Sequence, residues 1–283
     1  MLRLPDGRTW RAGRACFGLA LSAALMFSVS AGALVIDRER DASVLSDAFF
    51  GAAANLSVSV ANRRGQLHQY GGNSTGTFDQ DSVFGLGSGI VLSSGDVGVY
   101  GAGPNYNTGT STAYGDIGTP QQNLLANEII GTGNVAYDVT ELTFVFDATT
   151  EVNSLRFDLV FGSEEWPEAS GAPDGFGAFL NGELIASFTS ADLGMGAFPG
   201  TELDGVWQNG FSPVLEVAAA LDPFGGDNTL TFLIFDTADD EVDSTVFLAN
   251  FVASPDILAT PEPGTAILLG LGLMALASRR RRL

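Results

Sequence analysis

Along the middle of the chain, apolar residues fall at every second position. Leu142, Phe144 and Phe146 alternate with Thr143 and Val145, and Leu155, Phe157, Leu159 and Phe161 alternate with Arg156, Asp158 and Val160. A period of two predicts β-strands with one face buried and the other largely wet. Phe176–Leu180 and Glu183–Phe188 flank Asn181-Gly182, a pair that supplies the two positive-φ residues of a type I′ turn, so this stretch predicts a hairpin. Further strands are expected at Leu56–Val60, Ile90–Leu92, Leu215–Ala219, Leu230–Phe235 and Val246–Val252. One amphipathic helix is expected at Ser43–Ala54, with Val44, Leu45, Ala48 and Phe49 on one side. Short strands, Gly-rich connections (71–76, 101–109) and 20 Phe to fill a layer between sheets predict an all-β fold. The expected form is a two-sheet antiparallel β-sandwich with one short N-terminal helix. No repeat or long linker divides residues 34–258, which read as one domain.

The two ends follow another pattern. Arg3, Arg8, Arg11 and Arg14 precede an apolar run over 15–29 and then Ala31-Gly32-Ala33. A charged start, a greasy middle and a small-residue site at Ala31 and Ala33 predict a signal peptide over 1–33, with an uncleaved anchor as the alternative. The C-terminal segment 259–283 carries Pro261-Glu262-Pro263, an apolar run over 266–277, and Arg279, Arg280, Arg281 and Arg282. Twelve helical residues cover about 18 Å, short of the roughly 30 Å hydrocarbon core. A short transmembrane helix with an Arg stop-transfer cluster predicts a temporary anchor, its C-terminus cytoplasmic and the domain outside.

Pro-Glu-Pro, a short apolar helix and a terminal Arg run together resemble the PEP-CTERM sorting signal of Gram-negative bacteria. The resemblance implies recognition of Pro261, Glu262 and Pro263 by an exosortase, a membrane-embedded protease. It also implies a producer that makes exopolysaccharide and biofilm, and export across the inner membrane to the surface or matrix. An ordinary C-terminal anchor is the alternative. Three further stretches resemble the choice-of-anchor L domain, a bacterial extracellular module. They are 87–96 (GSGIVLSSGD), 161–168 (FGSEEWPE) leading to 174–182 (DGFGAFLNG), and 235–247 (FDTADDEVDSTVF). Trp166 stands where Tyr is usual in that family. The resemblance implies an extracellular module and carries no activity with it.

Charge narrows the partners. Of the 13 basic and 33 acidic residues, eight Arg and two acids lie in the end segments. Residues 34–258 therefore keep 5 basic and 31 acidic side chains, no Lys, and a formal charge of −26. Such a surface repels nucleic acid and anionic lipid and attracts divalent cations. Cys16 is the one cysteine and lies in the signal segment, so the mature domain would have no disulfide and no thiolate chemistry.

The carboxylates gather at strand ends. Glu164, Glu165 and Glu168 follow one strand, Asp174 precedes the next, and Asp236, Asp239, Asp240 and Asp243 fall between two late strands. Ca²⁺ takes roughly six to eight oxygen ligands from such loops. A Ca²⁺ site from Glu164, Glu165, Asp174, Asp236, Asp239, Asp240 and Asp243 is one reading; the other is turn residues whose carboxylates cap backbone N–H groups. No catalytic residue is assigned. His68, the one histidine, has no nucleophile signature near it, and Gly85–Gly89 reads as a turn without the helix of a nucleotide loop. Glu164 or Glu165 with Asp174 are the carboxylates a glycoside hydrolase would use. Trp166 and Trp207, with Tyr106 and Tyr114, are loop aromatics that suit stacking on sugars, with Trp166 as a core plug the other reading. The expectation is a non-enzymatic, exported adhesive or structural protein. Its partners are signal peptidase and exosortase during export, and polysaccharide or other surface proteins afterwards. A carbohydrate-binding module and a polysaccharide hydrolase are the alternatives.

Overall fold

A computed structural model describes residues 34–51, 56–64, 73–81, 84–102, 111–165, 173–193, 214–221, 227–238 and 240–257. The signal segment, the sorting tag, His68, Tyr106, Glu168, Trp166, Trp207 and Asp239 lie outside them, as do Pro261, Glu262, Pro263 and Arg279–Arg282. No helix among the described residues is long and apolar enough to cross a membrane.

Among the described residues, eleven strands form two antiparallel sheets. Sheet A has the order β1 (Val35–Arg38), β3 (Thr75–Asp81), β4 (Gly87–Ser93), β11 (Ser244–Ser254), β6 (Ser154–Ser163) and β9 (Leu215–Ala220). Sheet B has the order β2 (Leu56–Arg64), β5 (Ala136–Ala148), β10 (Asn228–Thr237), β7 (Gly175–Leu180) and β8 (Glu183–Thr189). The β7–β8 turn has Asn181 at φ 53° and Gly182 at φ 81°, the type I′ geometry that Asn-Gly predicts.

Between the sheets the in-pointing residues interleave. Leu142, Phe144 and Phe146 of β5 and Leu230, Phe232 and Ile234 of β10 meet Leu155, Phe157, Leu159 and Phe161 of β6 and Val246 and Leu248 of β11. Phe232 sits at the middle, its ring centroid 5.4 Å from that of Phe157 and 5.3 Å from that of Phe49 in near-perpendicular pairs, the edge-to-face arrangement that aromatic quadrupoles favour. Phe49 belongs to α1 (Ala42–Phe50), whose Leu45, Phe49 and Phe50 enter the same layer. Asp41 caps its start by accepting from the Ser43 N–H, and Gly51 at φ 56° ends it, shorter than the hydrophobic pattern suggested.

Two expectations need correcting. The alternate strand faces are not largely wet. Val160, Phe247 and Ala249 point away from the central layer into a second core with Phe78, Phe84, Leu86, Val97 and Tyr100. On the other side Leu233, Phe235, Val139 and Phe179 pack with Ala126, Leu125 and Ile129 of a helix. That helix, α2 (Pro120–Ile130), is the second correction, because one helix was expected. Its start has Thr119 accepting from the Gln122 N–H, Gln122 returning to the Thr119 N–H, and Pro120 at the first turn; Gly131 follows its end. These are standard boundary signals, and the helix was missed because its apolar face is thin. Strands β1 and β3 were missed too: β1 has only four residues, and β3 has Phe78 as its one large apolar side chain.

Candidate functional site

The strand ends at one pole of the sandwich carry the acids. β11 begins there at Ser244, β10 ends there at Thr237, β6 ends at Ser163, β4 at Ser93, and β7 starts at Gly175. The Ser and Asp residues at these ends form one buried network that crosses between the sheets. Asp174 Oδ1 accepts from the Thr237 N–H at 2.9 Å, on sheet B, and Oδ2 accepts from Ser244 Oγ at 3.0 Å, on sheet A. Ser244 N–H donates to Ser94 Oγ at 2.9 Å, and its carbonyl accepts from Ser93 Oγ at 2.8 Å. Glu165 Oε2 accepts from the Asp174 N–H at 3.1 Å and from Ser190 Oγ at 2.7 Å. Short side chains suit this work, because Ser and Asp reach backbone groups without displacing the ladder.

Asp243 Oδ1 accepts from the Thr112 N–H at 2.9 Å, and its carbonyl accepts from the Glu164 N–H. The side chain fills the space a Cβ on Gly95 would need. Asp236 is inside β10, not in the loop after it, and is 1% exposed. Neither of its carboxylate oxygens has a hydrogen-bond partner, and neither does Asp243 Oδ2.

Burial dominates the titration of these groups. It pushes Asp236 well above the usual carboxylate range, and the neighbouring charge of Asp174 pushes it further, against a pull from the Ser94 hydroxyl. Burial raises Asp243 to about 6, partly offset by the Thr112 N–H. The physical cause is the cost of holding an ion away from water with no cation beside it. Among the described residues the ion pairs are Arg38–Asp96 at 2.7 Å and Arg156–Asp256 at 3.6 Å, and neither involves these buried acids.

Asp138 is a member of the pole that sequence reasoning missed. It has φ 46° and lies at the irregularity where β5 and β10 slip register between Ile234 and Asp236. A bulge re-aims a side chain, and here Oδ1 accepts from Asp116 N–H at 2.8 Å and Oδ2 from Tyr114 N–H at 2.7 Å. The available signal was an acid at an inward place in an alternating strand. Tyr114 is half-buried, its phenol pushed up to about 12 by burial, so it is not the open loop aromatic that was expected. Asp96 was likewise unassigned; it takes Arg38 Nε and Nη2 at 2.7 and 2.9 Å, a bidentate clasp.

The seven carboxylates expected around Ca²⁺ do not assemble as one shell. Asp174 and Glu165 are spent on hydrogen bonds, and Asp240 lies toward Gly115. Among the described residues, no group of three or more His, Cys, Asp or Glu is arranged to hold a metal ion. Of the carboxylates named for hydrolysis, Glu164 and Asp174 are buried and Glu165 is half-buried.

Residues 38–203 match the family model for the choice-of-anchor L domain, and residues 259–282 match the PEP-CTERM protein-sorting motif. The chain belongs to the choice-of-anchor L domain family and carries a PEP-CTERM sorting motif at its C-terminus. No curated protein matches it. Among solved structures it is similar to a carbohydrate-binding module studied for mannan recognition, TmCBM27, at 13% identity and TM-score 0.30, over 77% of this chain and 95% of that one. It is also similar to the CBM51-2 and INT domains of Clostridium perfringens ZmpB, at 12% identity and TM-score 0.21, over 71% of this chain and 41% of that one. A 4-O-methyl-α-glucuronidase, BtGH115A, aligns over 42% of this chain and 14% of its own at 16% identity and TM-score 0.24. Overlaps this loose carry no functional argument.

Proposed function

We propose that this is an exported surface or matrix protein, cut from its tag by an exosortase, whose β-sandwich acts by adhesion or structural association and not by catalysis. On this reading residues 1–33 are the signal peptide, 34–258 the working domain and 259–283 the tag, with 266–277 passing briefly through the inner membrane. The observation that carries it is the placement of β11. The strand leading toward the tag is not an edge strand: it is hydrogen-bonded to β4 on one side and β6 on the other. Its exit is fastened again, by Asn153 Nδ2 to the Pro255 carbonyl and Ser154 Oγ to the Asp256 carbonyl, both at 2.8 Å. Load applied at that end is shared by two ladders in shear, which suits an anchored domain.

The acid pole stands at the opposite end of β11, eleven residues and roughly 30–35 Å away. A tether at Ser254 thus turns that pole outward, toward polysaccharide or another surface protein. Mass spectrometry of the mature protein from cell fractions tests the route. The expected product lacks residues 1–33 and the terminal Arg run and is found at the surface or in the matrix. An intact Arg279–Arg282 on the finished surface product would sink the sorting claim. Binding on a glycan array that disappears in Trp166→Ala or Trp207→Ala would select polysaccharide as the partner.

A further inference from the structure

We infer that β2, an outer strand of sheet B, pairs edge to edge with β2 of a second copy of this chain in an antiparallel two-fold arrangement. This rests on the reading of the domain as one that works by association, and it names the partner. An edge strand presents a row of backbone N–H and C=O groups that template another strand. Among the described residues the sandwich has four outer strands, β1 and β9 in sheet A and β2 and β8 in sheet B. Three of them carry an exposed acid: Asp37 in β1, Glu183 in β8 and Glu216 in β9. A charge on an edge works against pairing with another copy of the same chain. β1 is also only four residues long. β2 has nine residues and no acid, and it holds Arg63 and Arg64, two of the five basic residues in 34–258. Among the described residues β5 is its one paired neighbour.

The register of β2 suits a copy of itself. Val58 lies opposite Phe146 and Val60 opposite Val145, so Ser59 is the extra residue of a bulge. Leu56 and Val58 pack against the central layer, and Ser57 is exposed opposite the exposed Asp147. Beyond the bulge Ala61 and Arg63 take inward register positions, opposite Phe144 and Leu142. Val60, Asn62 and Arg64 take the outward ones, opposite Val145, Thr143 and Glu141. A two-fold axis at Ala61 then pairs Val60 with Asn62, Val58 with Arg63 and Ser57 with Arg64 of the second copy, each Ser59 staying out of the ladder. Every pair joins two inward or two outward positions, as it must, because opposite residues share a face of a sheet. Charge agrees with this register. Each Arg64 arrives beside the other copy's Ser57, with that copy's Asp147 one strand further on the same face. Two strand spacings put those two positions about 10 Å apart, a span that the long Arg side chain and Asp together cover across the small Ser. Both ends of the joined edge thus set a base against an acid, and the two five-stranded sheets become one.

The test uses the mature protein purified from the surface or matrix fraction and followed by sedimentation velocity over a range of concentrations. Physiological salt is used, where a Debye length of about 8 Å screens distant charges on two acidic copies. The expected result is a reversible dimer. Arg64→Glu or Asp147→Arg alone should weaken it about tenfold or more. The two together should return it to within about threefold of the wild type, because the pair is restored with its signs exchanged. Residues 34–258 contain no cysteine, so Ala61→Cys gives a second readout. Opposed Cα atoms in an antiparallel pair lie about 4.5–5.5 Å apart, within disulfide reach, so mild oxidation should link this variant into a covalent dimer. Glu183→Cys, on the far edge of sheet B, should form none. Melting temperatures check that each variant folds, and if Arg64→Glu does not, the cysteine readout decides. A monomer at every concentration would overturn the pairing, as would no link through Ala61→Cys or equal linking through Glu183→Cys. A dimer that both single charge variants leave unchanged would overturn it as well. None of these results touches the sorting route or binding to polysaccharide, which the cell fractions and the glycan array test.

Discussion

Lowering the pH should stabilise this domain, and Asp243 sets a scale for the effect. Its carboxyl is raised from an ordinary 3.8 to about 6 in the folded state. Between those values the native protein holds a proton that the unfolded chain has released, so stability falls as pH rises through this window and levels off above it. A shift of about two units corresponds to about 3 kcal/mol in full. Between pH 7.5 and pH 5, Asp243 alone should contribute about 1.4 kcal/mol in favour of the lower pH. Asp236, raised in the same direction, extends the trend upward in pH. The assay is urea unfolding in chelator at pH 5, 6 and 7.5, for the wild type and for Asp243→Asn. Asn keeps an oxygen for the Thr112 N–H and cannot ionise, so its pH slope should be shallower by that amount. Relief of general charge repulsion acts on both proteins and cancels in the comparison. A wild type that becomes more stable toward pH 7.5, or two equal slopes, would refute the reasoning.

Three other perturbations have definite expected outcomes. Gly95→Ala places a methyl against the Asp243 carboxylate and should cost about 2 kcal/mol or more in unfolding free energy, with backbone exchange at Thr112 rising as its hydrogen bond loosens. Phe232→Ala empties the centre of the aromatic layer and should cost about 3–5 kcal/mol, read as a fall in the urea midpoint at unchanged slope. Thr119→Ala removes one half of the capping box of α2 and should cost about 1 kcal/mol, with faster amide exchange confined to the first turn of that helix.

Period-two runs at 142–146 and 155–161, together with Asn181-Gly182, were enough to read the strands of the central layer and their hairpin. They are legible because alternation is a local property: each strand announces which residues it hides. The sorting tag was legible for a similar reason, its order of Pro-Glu-Pro, apolar run and Arg cluster being contiguous in the chain and matching a family model over 259–282. Local pattern could not show that Val160, Phe247 and Phe235 are buried on the opposite faces, because burial there depends on what other segments lay across the sheets. Phe84 and Leu86 before β4, with Val97 and Tyr100 of the segment Val97–Ala102, cover one, and α2 covers the other. The acids show the same division. Their gathering at strand ends could be read from the sequence, and a ligand shell of seven was the natural expectation. Only the tertiary structure decided their separate fates, because a carboxylate's role depends on which N–H groups and charges reach it from elsewhere in the chain. Asp174 ties the two sheets through Thr237 and Ser244, Asp138 holds the 114–116 segment from a bulge, and Asp236 is left buried with its oxygens unbonded.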